Sequence, residues 1–206
     1  MINEGDFVLI EVEGKTLDGK IFDTTKGELS KQLHGKEGPI LIVYGKAVLL
    51  PGLNRILKGM SENEEKRILL KPEEAFGKRK NDLIRVVPFS AFKSINRKIK
   101  KGEVVSFNTE EGQVTGVIKS VSNGRVLVDF NHPLADKEVE YWIKVVKIMR
   151  DEKEKIKSLM ENFNIKTYEI DMKEKIIRIE PNENYELVKI NVTYLLPRFK
   201  VEELKK

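Results

Sequence analysis

The segment LLPGLNRILKGM, residues 49–60, decides the fold of this chain. Pro51 suits the first turn of a helix, where its missing N–H would have no intrahelical partner. Gly59 suits the left-handed position just past a helix end. Apolar side chains recur at i, i+3, i+4 and i+7 and form one face, made of Leu53, Ile56, Leu57 and Met60. A helix of two turns is not stable alone, so this face is predicted to cover a sheet.

Strand patterns flank this helix on both sides. Residues 6–13 alternate between apolar and polar side chains, which is the period of a half-buried antiparallel strand. Asp18-Gly19 predicts a type I′ hairpin turn, in which both central residues have positive φ, followed by a return strand. Further strands are predicted at four places: residues 21–23, 40–44, 66–71 and 139–148. The polar segment 24–38 is predicted to be a long loop or a helical excursion.

The chain after Pro88 changes in pattern. Strand signals at 103–107, 113–120 and 124–130, with a hairpin turn at Asn123-Gly124, can bury a small core of their own. We therefore predict an inserted all-β domain over residues 85–130. The strand at 139–148 then returns the chain to its first sheet, so that the parent domain comprises residues 1–84 plus 131–150.

The C-terminal residues 151–206 form a third predicted domain. Their pattern indicates helix, strand, strand, helix and strand, an αββαβ module. The second helix, residues 184–196, is predicted to turn Leu187, Ile190 and Leu195 inward and to end before Pro197. A module of this size is marginal alone, so it is expected to dock on the rest of the chain or to form a homodimer.

Composition narrows the class of protein. The chain has 206 residues, 40% of them hydrophobic, without cysteine and without an apolar run long enough to span a bilayer. The N-terminus does not resemble a signal peptide, so a cytoplasmic protein without membrane partners is expected. Charged residues reach 34%, mostly Lys and Glu, which favours a heat-adapted source. Two histidines and no acid–cysteine cluster predict no metal site, and no phosphate-binding glycine loop is present, so no cofactor is expected.

Four phrases in this order carry a resemblance to a known family. They are LDGKIFDT at 17–24, the helix segment at 49–60, PEEAFG at 72–77, and NHPLA at 131–135 before the final strand. Together they resemble the FKBP-type peptidyl-prolyl cis-trans isomerases, and in particular the long branch of SlyD-like and archaeal two-domain members with an insert-in-flap domain. The resemblance covers residues 3–150. It implies an α+β fold in which a curved antiparallel sheet wraps a short helix.

The resemblance also implies a site. An apolar bowl would grip the proline ring, the backbone N–H of Leu50 would hold the substrate carbonyl, and Asp23 would lie at the rim. The residues implied as catalytic are Phe22, Asp23, Leu49, Leu50, Leu53, Phe76 and Tyr141. Those implied in substrate binding are Val12, Tyr44, Ala75, His132 and Leu134. Phe76 and Val12 stand where the family commonly has Tyr, Tyr141 where it commonly has Phe, and Asp136 where it commonly has Gly.

Three functions remain open from the sequence. The first is an isomerase with chaperone activity, in which the inserted domain captures unfolded or nascent chains and the parent domain isomerises their X–Pro bonds. The second is a holdase with weak catalysis, because Val12 and Phe76 lack the usual hydroxyls. The third is a nucleic-acid or ribosome binder, motivated by basic residues at 93–101. It is the least favoured, because no aromatic residues interleave with those charges for base stacking.

Overall fold

The computed structural model describes residues 1–92, 99–110 and 112–204, and these residues fall into two compact units. The first unit comprises residues 1–70 and 139–206, and the second comprises residues 71–138. Within the described residues, no helix is both long and apolar enough to cross a membrane.

The main sheet of the first unit has five strands. They are β1 (Phe7–Thr16), β2 (Ile21–Thr24), β3 (Ile40–Val43), β4 (Glu65–Leu70) and β9 (Val139–Met149). The strand order is β2-β1-β9-β4, with β3 also paired to β1, and every pairing is antiparallel. The inward face of β9 alternates as the sequence predicts, with Val139, Tyr141, Ile143 and Val145 all buried.

Two helices accompany this sheet. The helix α1 (Gly27–His34) occupies the polar segment after β2, and Gly35 ends it in the left-handed conformation with φ 73°. The helix α2 (Pro51–Leu57) is the one predicted from the deciding segment, with Pro51 in its first turn and Gly59 at φ 78° beyond its end. Its predicted apolar face, Leu53, Ile56, Leu57 and Met60, is buried.

The hairpin between β1 and β2 differs from the predicted type. Only Gly19 in the turn has positive φ, and the hairpin is closed by hydrogen bonds from the Gly19 N–H to the Thr16 carbonyl and from the Thr16 N–H to the Lys20 carbonyl. The loop is therefore longer than two residues, and one glycine in the left-handed region accounts for it. The type I′ prediction at Asp18-Gly19 is wrong.

The C-terminal residues build a further layer of the first unit. They form α3 (Glu152–Asn162), β10 (Tyr168–Asp171), β11 (Ile176–Ile179), α4 (Tyr185–Leu195) and β12 (Lys200–Glu203). Asp151 caps α3 by accepting from the N–H groups of Lys153 and Glu154. The strand order is β10-β11-β12, with β11 and β12 parallel across the α4 crossover.

This layer shares one hydrophobic core with the main sheet. Phe7, Val43 and Met149 from the sheet are buried together with side chains of the C-terminal elements, among them Ile156, Met160, Ile177, Val188 and Val192. Of the two arrangements expected for residues 151–206, docking on the rest of the chain is the one observed. Residues 151–206 consequently belong to the first compact unit, whereas a domain boundary was predicted at 150/151.

The buried face of α4 also differs from the prediction. Leu187 and Ile190 are exposed and Leu195 is half-buried, whereas Val188 and Val192 are fully buried. The helix carries apolar residues around most of its circumference, so its sequence fits more than one inward face. Packing against the shared core selects the stripe through Val188 and Val192.

The second unit contains a four-stranded antiparallel sheet. Its strands are β5 (Ile84–Pro88), β6 (Val104–Thr109), β7 (Gly112–Ser122) and β8 (Arg125–Asp129), in the order β5-β8-β7-β6. A hairpin turn joins β7 and β8 at Asn123-Gly124, where it was predicted, and both residues have positive φ, the geometry of a type I′ turn. The sheet buries a small core of Phe92, Ile99, Val105, Ile118, Val126 and Val128. The strand β5 was not predicted.

The second unit extends beyond the predicted insert at both ends. The N–H of Lys80 donates to the side-chain oxygen of Asn131 at 2.8 Å, and the Asn131 amide donates back to the Lys80 carbonyl at 3.0 Å. Asp129 pairs with Arg79 and accepts two hydrogen bonds from Asn131. These contacts tie residues 71–84 to 129–138, so the compact units divide at 70/71 and 138/139. The ends of the inserted domain predicted from the sequence, at 84/85 and 130/131, stay a prediction.

Candidate functional site

Three neighbouring strands bring an aromatic pair and a carboxylate together. Gly14 on β1 pairs with Asp23 on β2 and with Tyr141 on β9. The rings of Phe22 and Tyr141 meet edge to face, with centroids 5.6 Å apart and planes at 74°. The Tyr141 hydroxyl donates to Oδ2 of Asp23 at 3.0 Å. Phe22, Asp23 and Tyr141, which we call the rim cluster, therefore form one assembly, as the family pattern implied.

Gly14 makes room for the rim cluster and was missed from the sequence. A Cβ atom at this position would lie 2.8 Å from Cζ of Tyr141 and 2.9 Å from Cε2 of Phe22, closer than side-chain carbons tolerate. A glycine within an otherwise regular strand pattern is the signal that would have found it, because it often marks a close approach.

The electrostatics of the cluster keep Tyr141 a hydrogen-bond donor. Burial raises the pKa of Tyr141 well above its ordinary value, and the charge of Asp23 and the hydrogen bond to it raise that pKa further. The phenol is accordingly neutral near pH 7 and holds its proton towards the Asp23 carboxylate. The arrangement fixes one oxygen of Asp23 against an apolar wall.

The other oxygen of Asp23, Oδ1, also has a partner, which was not predicted from the sequence. Nε2 of His34, the last residue of α1, lies 2.9 Å from Oδ1 of Asp23. Both side chains are mostly buried, with 22% of the His34 side chain and 23% of the Asp23 side chain exposed. No local sequence pattern predicts this contact, because it depends on how the helical excursion folds back over β2.

The residues around α2 contribute apolar surface and one backbone donor. Leu53 is buried, and Leu49 and Leu50 are half-buried at the start of the helix. The Leu50 carbonyl accepts from the Asn54 N–H at 3.0 Å. Within the described residues, the Leu50 N–H has no hydrogen-bond acceptor. The start of α2 is thus a place where a backbone donor stands ready for another acceptor.

Two of the predicted substrate-binding residues of the first unit have structural contacts. Val12 is buried in the sheet and faces Ile143 in the β9 register; its carbonyl accepts from the Thr25 N–H, and its own N–H donates to the Thr25 hydroxyl. Tyr44 donates its hydroxyl to the Asn54 carbonyl at 3.1 Å and lines a recess with Lys58 and other residues. These contacts account for both side chains, and their part in binding stays a prediction.

Four further predicted residues belong to the second unit. The rings of Phe76 and His132 are stacked, with centroids 4.3 Å apart and planes at 3°. Nδ1 of His132 accepts from the N–H of Leu134 at 3.1 Å, and burial lowers the pKa of His132. Ala75 is buried and Leu134 half-buried. Within this unit, Phe76, His132 and Leu134 therefore form a joined group.

Asp136 holds a backbone position that favours glycine. Its φ is 63°, in the left-handed region, which explains why the family commonly has Gly there. The Asp136 N–H donates to the Gly77 carbonyl, and its carboxylate accepts from the Arg79 N–H at 3.0 Å. These two hydrogen bonds support the strained residue and link the segments on either side of the inserted sheet.

Comparison with known proteins gives the family. Residues 1–110 match the family described as FKBP-type peptidyl-prolyl cis-trans isomerase. A short-type peptidyl-prolyl cis-trans isomerase of Methanocaldococcus jannaschii is 30% identical over 158 residues, which cover 75% of this chain and 98% of that protein. The FKBP-type 16 kDa isomerase of Escherichia coli K12 is 30% identical over 148 residues, 71% of this chain and 93% of that protein. This chain belongs to the FKBP-type peptidyl-prolyl cis-trans isomerase family.

Two further matches are more limited. The isomerase SlyD of Helicobacter pylori is 33% identical over 109 residues, 52% of this chain and 58% of that protein. A solved structure of the three FKBP domains of wheat FKBP73 covers 72% of this chain and 40% of that chain, at 17% identity and a TM-score of 0.38. The enzyme class and the SlyD-like resemblance predicted from the motifs are confirmed by the family match and the relatives.

Proposed function

We propose that the rim cluster is the active site at which this enzyme isomerises the X–Pro bonds of unfolded or nascent polypeptides. The observation that carries the proposal is the geometry of the cluster in a chain of this family. An edge-to-face aromatic pair stands beside a carboxylate, and the Tyr141 hydroxyl holds that carboxylate at 3.0 Å. The cluster offers both surfaces that the reaction needs, an apolar wall and a fixed polar group.

The reaction requires no nucleophile. Rotation about the bond faces a barrier of about 18–20 kcal/mol, because amide resonance is lost at the twisted midpoint. Water stabilises the planar and more polar ground state better than the twisted state. An apolar surface that grips the proline ring therefore favours the transition state over the ground state. Phe22 and Tyr141 would supply that surface, with Leu53 below them and Leu49 and Leu50 at the side.

The polar groups would orient the substrate. The Leu50 N–H, which has no acceptor within the described residues, would donate to a substrate carbonyl. Asp23 would face the carbonyl that moves during rotation. Asp23 accepts a hydrogen bond from Tyr141. Many relatives instead have a tyrosine at the position of Val12 and a phenylalanine at the position of Tyr141. We infer that the phenol on β9 substitutes for the missing phenol on β1.

The remaining predicted residues stay proposed substrate contacts. Tyr44 lies in the first unit, and Ala75, Phe76, His132 and Leu134 lie in the second. The stacked rings of Phe76 and His132 carry no hydroxyl. This part of the proposal rests on the family pattern.

The test is the refolding of a protein whose slow phase is a prolyl isomerisation, with catalytic amounts of this chain. We expect a marked acceleration, and we expect Phe22→Ala to reduce kcat/KM by about tenfold or more through lost apolar contact. Asp23→Ala should also reduce it. Ile21→Ala is the matched control, because Ile21 precedes Phe22 on β2 and its side chain is exposed.

The outcomes separate the proposed functions. Acceleration that falls with Phe22→Ala and Asp23→Ala, but not with Ile21→Ala, supports the site. Acceleration that is insensitive to both site variants would move the active site elsewhere. A folded chain that gives no acceleration would support the alternative function, a holdase with weak catalysis.

We also propose that the second unit captures unfolded chains. This unit leaves apolar side chains exposed, among them Val86, Phe89, Val104 and Val121. Val86 and Leu127 lie opposite each other on β5 and β8 and line a shallow recess together with Arg125. The apolar side chains of this recess would bind other apolar chains, as exposed apolar patches do. Capture by the same chain would raise the effective concentration of the substrate at the isomerase site.

Suppression of client aggregation tests the capture step. Val86→Asp should weaken it, because it places a charge on a surface that binds by apolar contact. Ile190→Asp on α4 is the matched control, since Ile190 is 64% exposed and Val86 is 59% exposed. Equal suppression by both variants would remove the second unit as the capture surface.

Further predictions from the sequence remain proposals. A cytoplasmic location, an archaeal and heat-adapted source, and a homodimer through the C-terminal residues belong to this group. The nucleic-acid alternative concerns residues 93–101, of which 93–98 lie outside the described residues. Lys100 and Lys101 are exposed. RNA binding that falls steeply with salt and disappears when the basic residues from Lys93 to Lys101 are neutralised would favour that function.

A further inference from the structure

The carboxylate of Asp23 is held at both of its oxygens. Tyr141 donates to Oδ2 at 3.0 Å, and Nε2 of His34 lies 2.9 Å from Oδ1. A carboxylate with one partner can turn about its Cβ–Cγ bond, whereas two partners on opposite oxygens fix its plane. The second partner therefore decides whether Asp23 presents one orientation or several to a bound chain.

The polypeptide holds His34 in place. His34 is the last residue of α1, and the next residue, Gly35, ends the helix with a hydrogen bond from its N–H to the Lys31 carbonyl. Ser30 is buried within the same helix and donates its hydroxyl to the Lys36 carbonyl at 2.6 Å. These hydrogen bonds fix the end of α1 and the segment that follows it, so the backbone that carries the His34 imidazole is held in one position.

The charged neighbours of His34 are engaged elsewhere. Lys31 on the same helix pairs with Glu28 at 3.1 Å. Glu37, in the segment after the helix, accepts from the Gly27 N–H at 3.0 Å. Among the described residues, Asp23 is the only ionisable group that His34 contacts by hydrogen bond or ion pair.

We propose that His34 is a positioning residue for prolyl isomerisation: its Nε2–H locks the Asp23 carboxylate in the plane that faces the rotating X–Pro bond. This inference rests on the proposed function of the rim cluster. Preorganised dipoles accelerate a reaction because they need not reorient as the charge distribution of the substrate changes. The contribution of His34 would be realised as the bond twists, and not when the chain first binds.

The expected signature is a change in kcat without a change in KM. His34→Leu removes the donor and should lower kcat for a prolyl tetrapeptide by about three- to tenfold, the effect of one ordinary hydrogen bond. KM should stay within twofold, because ground-state binding is not involved. His34→Gln should recover most of the rate, since its terminal amide can donate from nearly the same place as Nε2–H.

Two further variants sharpen the test. Lys31→Leu is the matched control, because it removes an ion pair from the same helix without touching Asp23. The combination of His34→Leu with Asp23→Ala should be no slower than Asp23→Ala alone, as expected for residues that act through one another. Near-ultraviolet circular dichroism of each variant should match the wild type, thermal unfolding should show that each is folded at the assay temperature, and if His34→Leu does not fold, His34→Ala takes its place.

The outcomes distinguish this inference from the proposed function. A wild-type enzyme that is slowed by Asp23→Ala but unaffected by His34→Leu would overturn the role of His34 alone. A full additive loss in the double variant, or a loss with His34→Gln equal to that with His34→Leu, would also overturn it. Indifference of the wild-type rate to Asp23→Ala and Phe22→Ala would overturn the proposed site first.

Discussion

Replacing Tyr141 by phenylalanine tests the best-defined hydrogen bond of the site. The variant removes a donor 3.0 Å from Oδ2 of Asp23, and Tyr141 is only 3% exposed. Hydrogen bonds to charged groups contribute about 1.5–3 kcal/mol. Asp23 keeps its contact with His34 and retains some access to water, so we expect Tyr141→Phe to lower the free energy of unfolding by about 1–2 kcal/mol at pH 7. Urea unfolding measures this difference.

The same variant predicts how the difference changes with pH. The pKa of Tyr141 is raised by burial and by Asp23, so the folded chain retains the phenolic proton at pH values where the unfolded chain loses it. The stabilisation is therefore complete below about pH 10, the ordinary tyrosine value, and is lost as the pH rises above it. The slope should approach about 1.4 kcal/mol per pH unit. The stability gap between wild type and Tyr141→Phe should consequently shrink in alkali.

Tyr194→Phe is the control for this experiment, because Tyr194 is exposed on α4 and its change removes a phenol without touching the site. Its unfolding free energy should follow that of the wild type from pH 7 to pH 9. A gap for Tyr141→Phe that stays constant or widens above pH 10 would refute the reasoning. A gap close to zero at pH 7 would show that the hydroxyl does not hold Asp23.

Three further changes have defined outcomes. Gly14→Ala should lower the unfolding free energy by about 1–3 kcal/mol and reduce the isomerase rate, because its Cβ would force the rings of Phe22 and Tyr141 apart; unchanged urea midpoints would contradict the close approach. Phe76→Tyr should raise kcat/KM by up to about tenfold, through a hydroxyl worth about 0.5–1.5 kcal/mol, and a rate that stays the same or falls would count against the assignment. Burial lowers the pKa of His132, so the unfolded chain takes up the proton at a higher pH than the folded chain. The free energy of unfolding should therefore fall as the pH drops below about 6.5. Between about pH 7.5 and pH 5, His132→Gln should lose less stability than the wild type in urea unfolding.

The elements that the sequence predicts well are those whose information is local. The helix α2 carries its own start signal in Pro51, its end signal in Gly59, and an apolar face at helical spacing, so both its bounds and its buried face could be read from it. The turn at Asn123-Gly124 likewise needs only two residues that tolerate positive φ.

The features that the sequence does not predict depend on distant partners. In α4, apolar residues surround the helix, and only the shared core with Phe7 and Met149 decides that Val188 faces inward while Leu187 stays exposed. The contact between His34 and Asp23 joins a helix end to a strand through the path of the intervening chain. In such cases the tertiary packing, and not the local pattern, selects the outcome.

The candidate site divides in the same way. The family resemblance predicted Phe22 and Asp23, which stand within the phrase at 17–24, and Tyr141, which stands in the final strand after the phrase at 131–135. Gly14 lies outside those phrases, and its role becomes visible only when β1 is seen between β2 and β9. A glycine in a strand signals a close approach, but which side chains approach it depends on the neighbouring strands and cannot be predicted from β1 alone.

The pairing of β1 with β9 has a consequence for biosynthesis. The strand nearest the N-terminus finds its longest partner only when residue 149 has been made, so β1 leaves the ribosome long before β9 exists. At typical translation speeds the interval is roughly ten seconds. The second unit, by contrast, is one uninterrupted stretch of chain and can fold as soon as residue 138 has emerged. The nascent protein is therefore expected to fold its middle before its two ends. During that interval β1 lacks its β9 partner and is accessible to the chaperones of the cell.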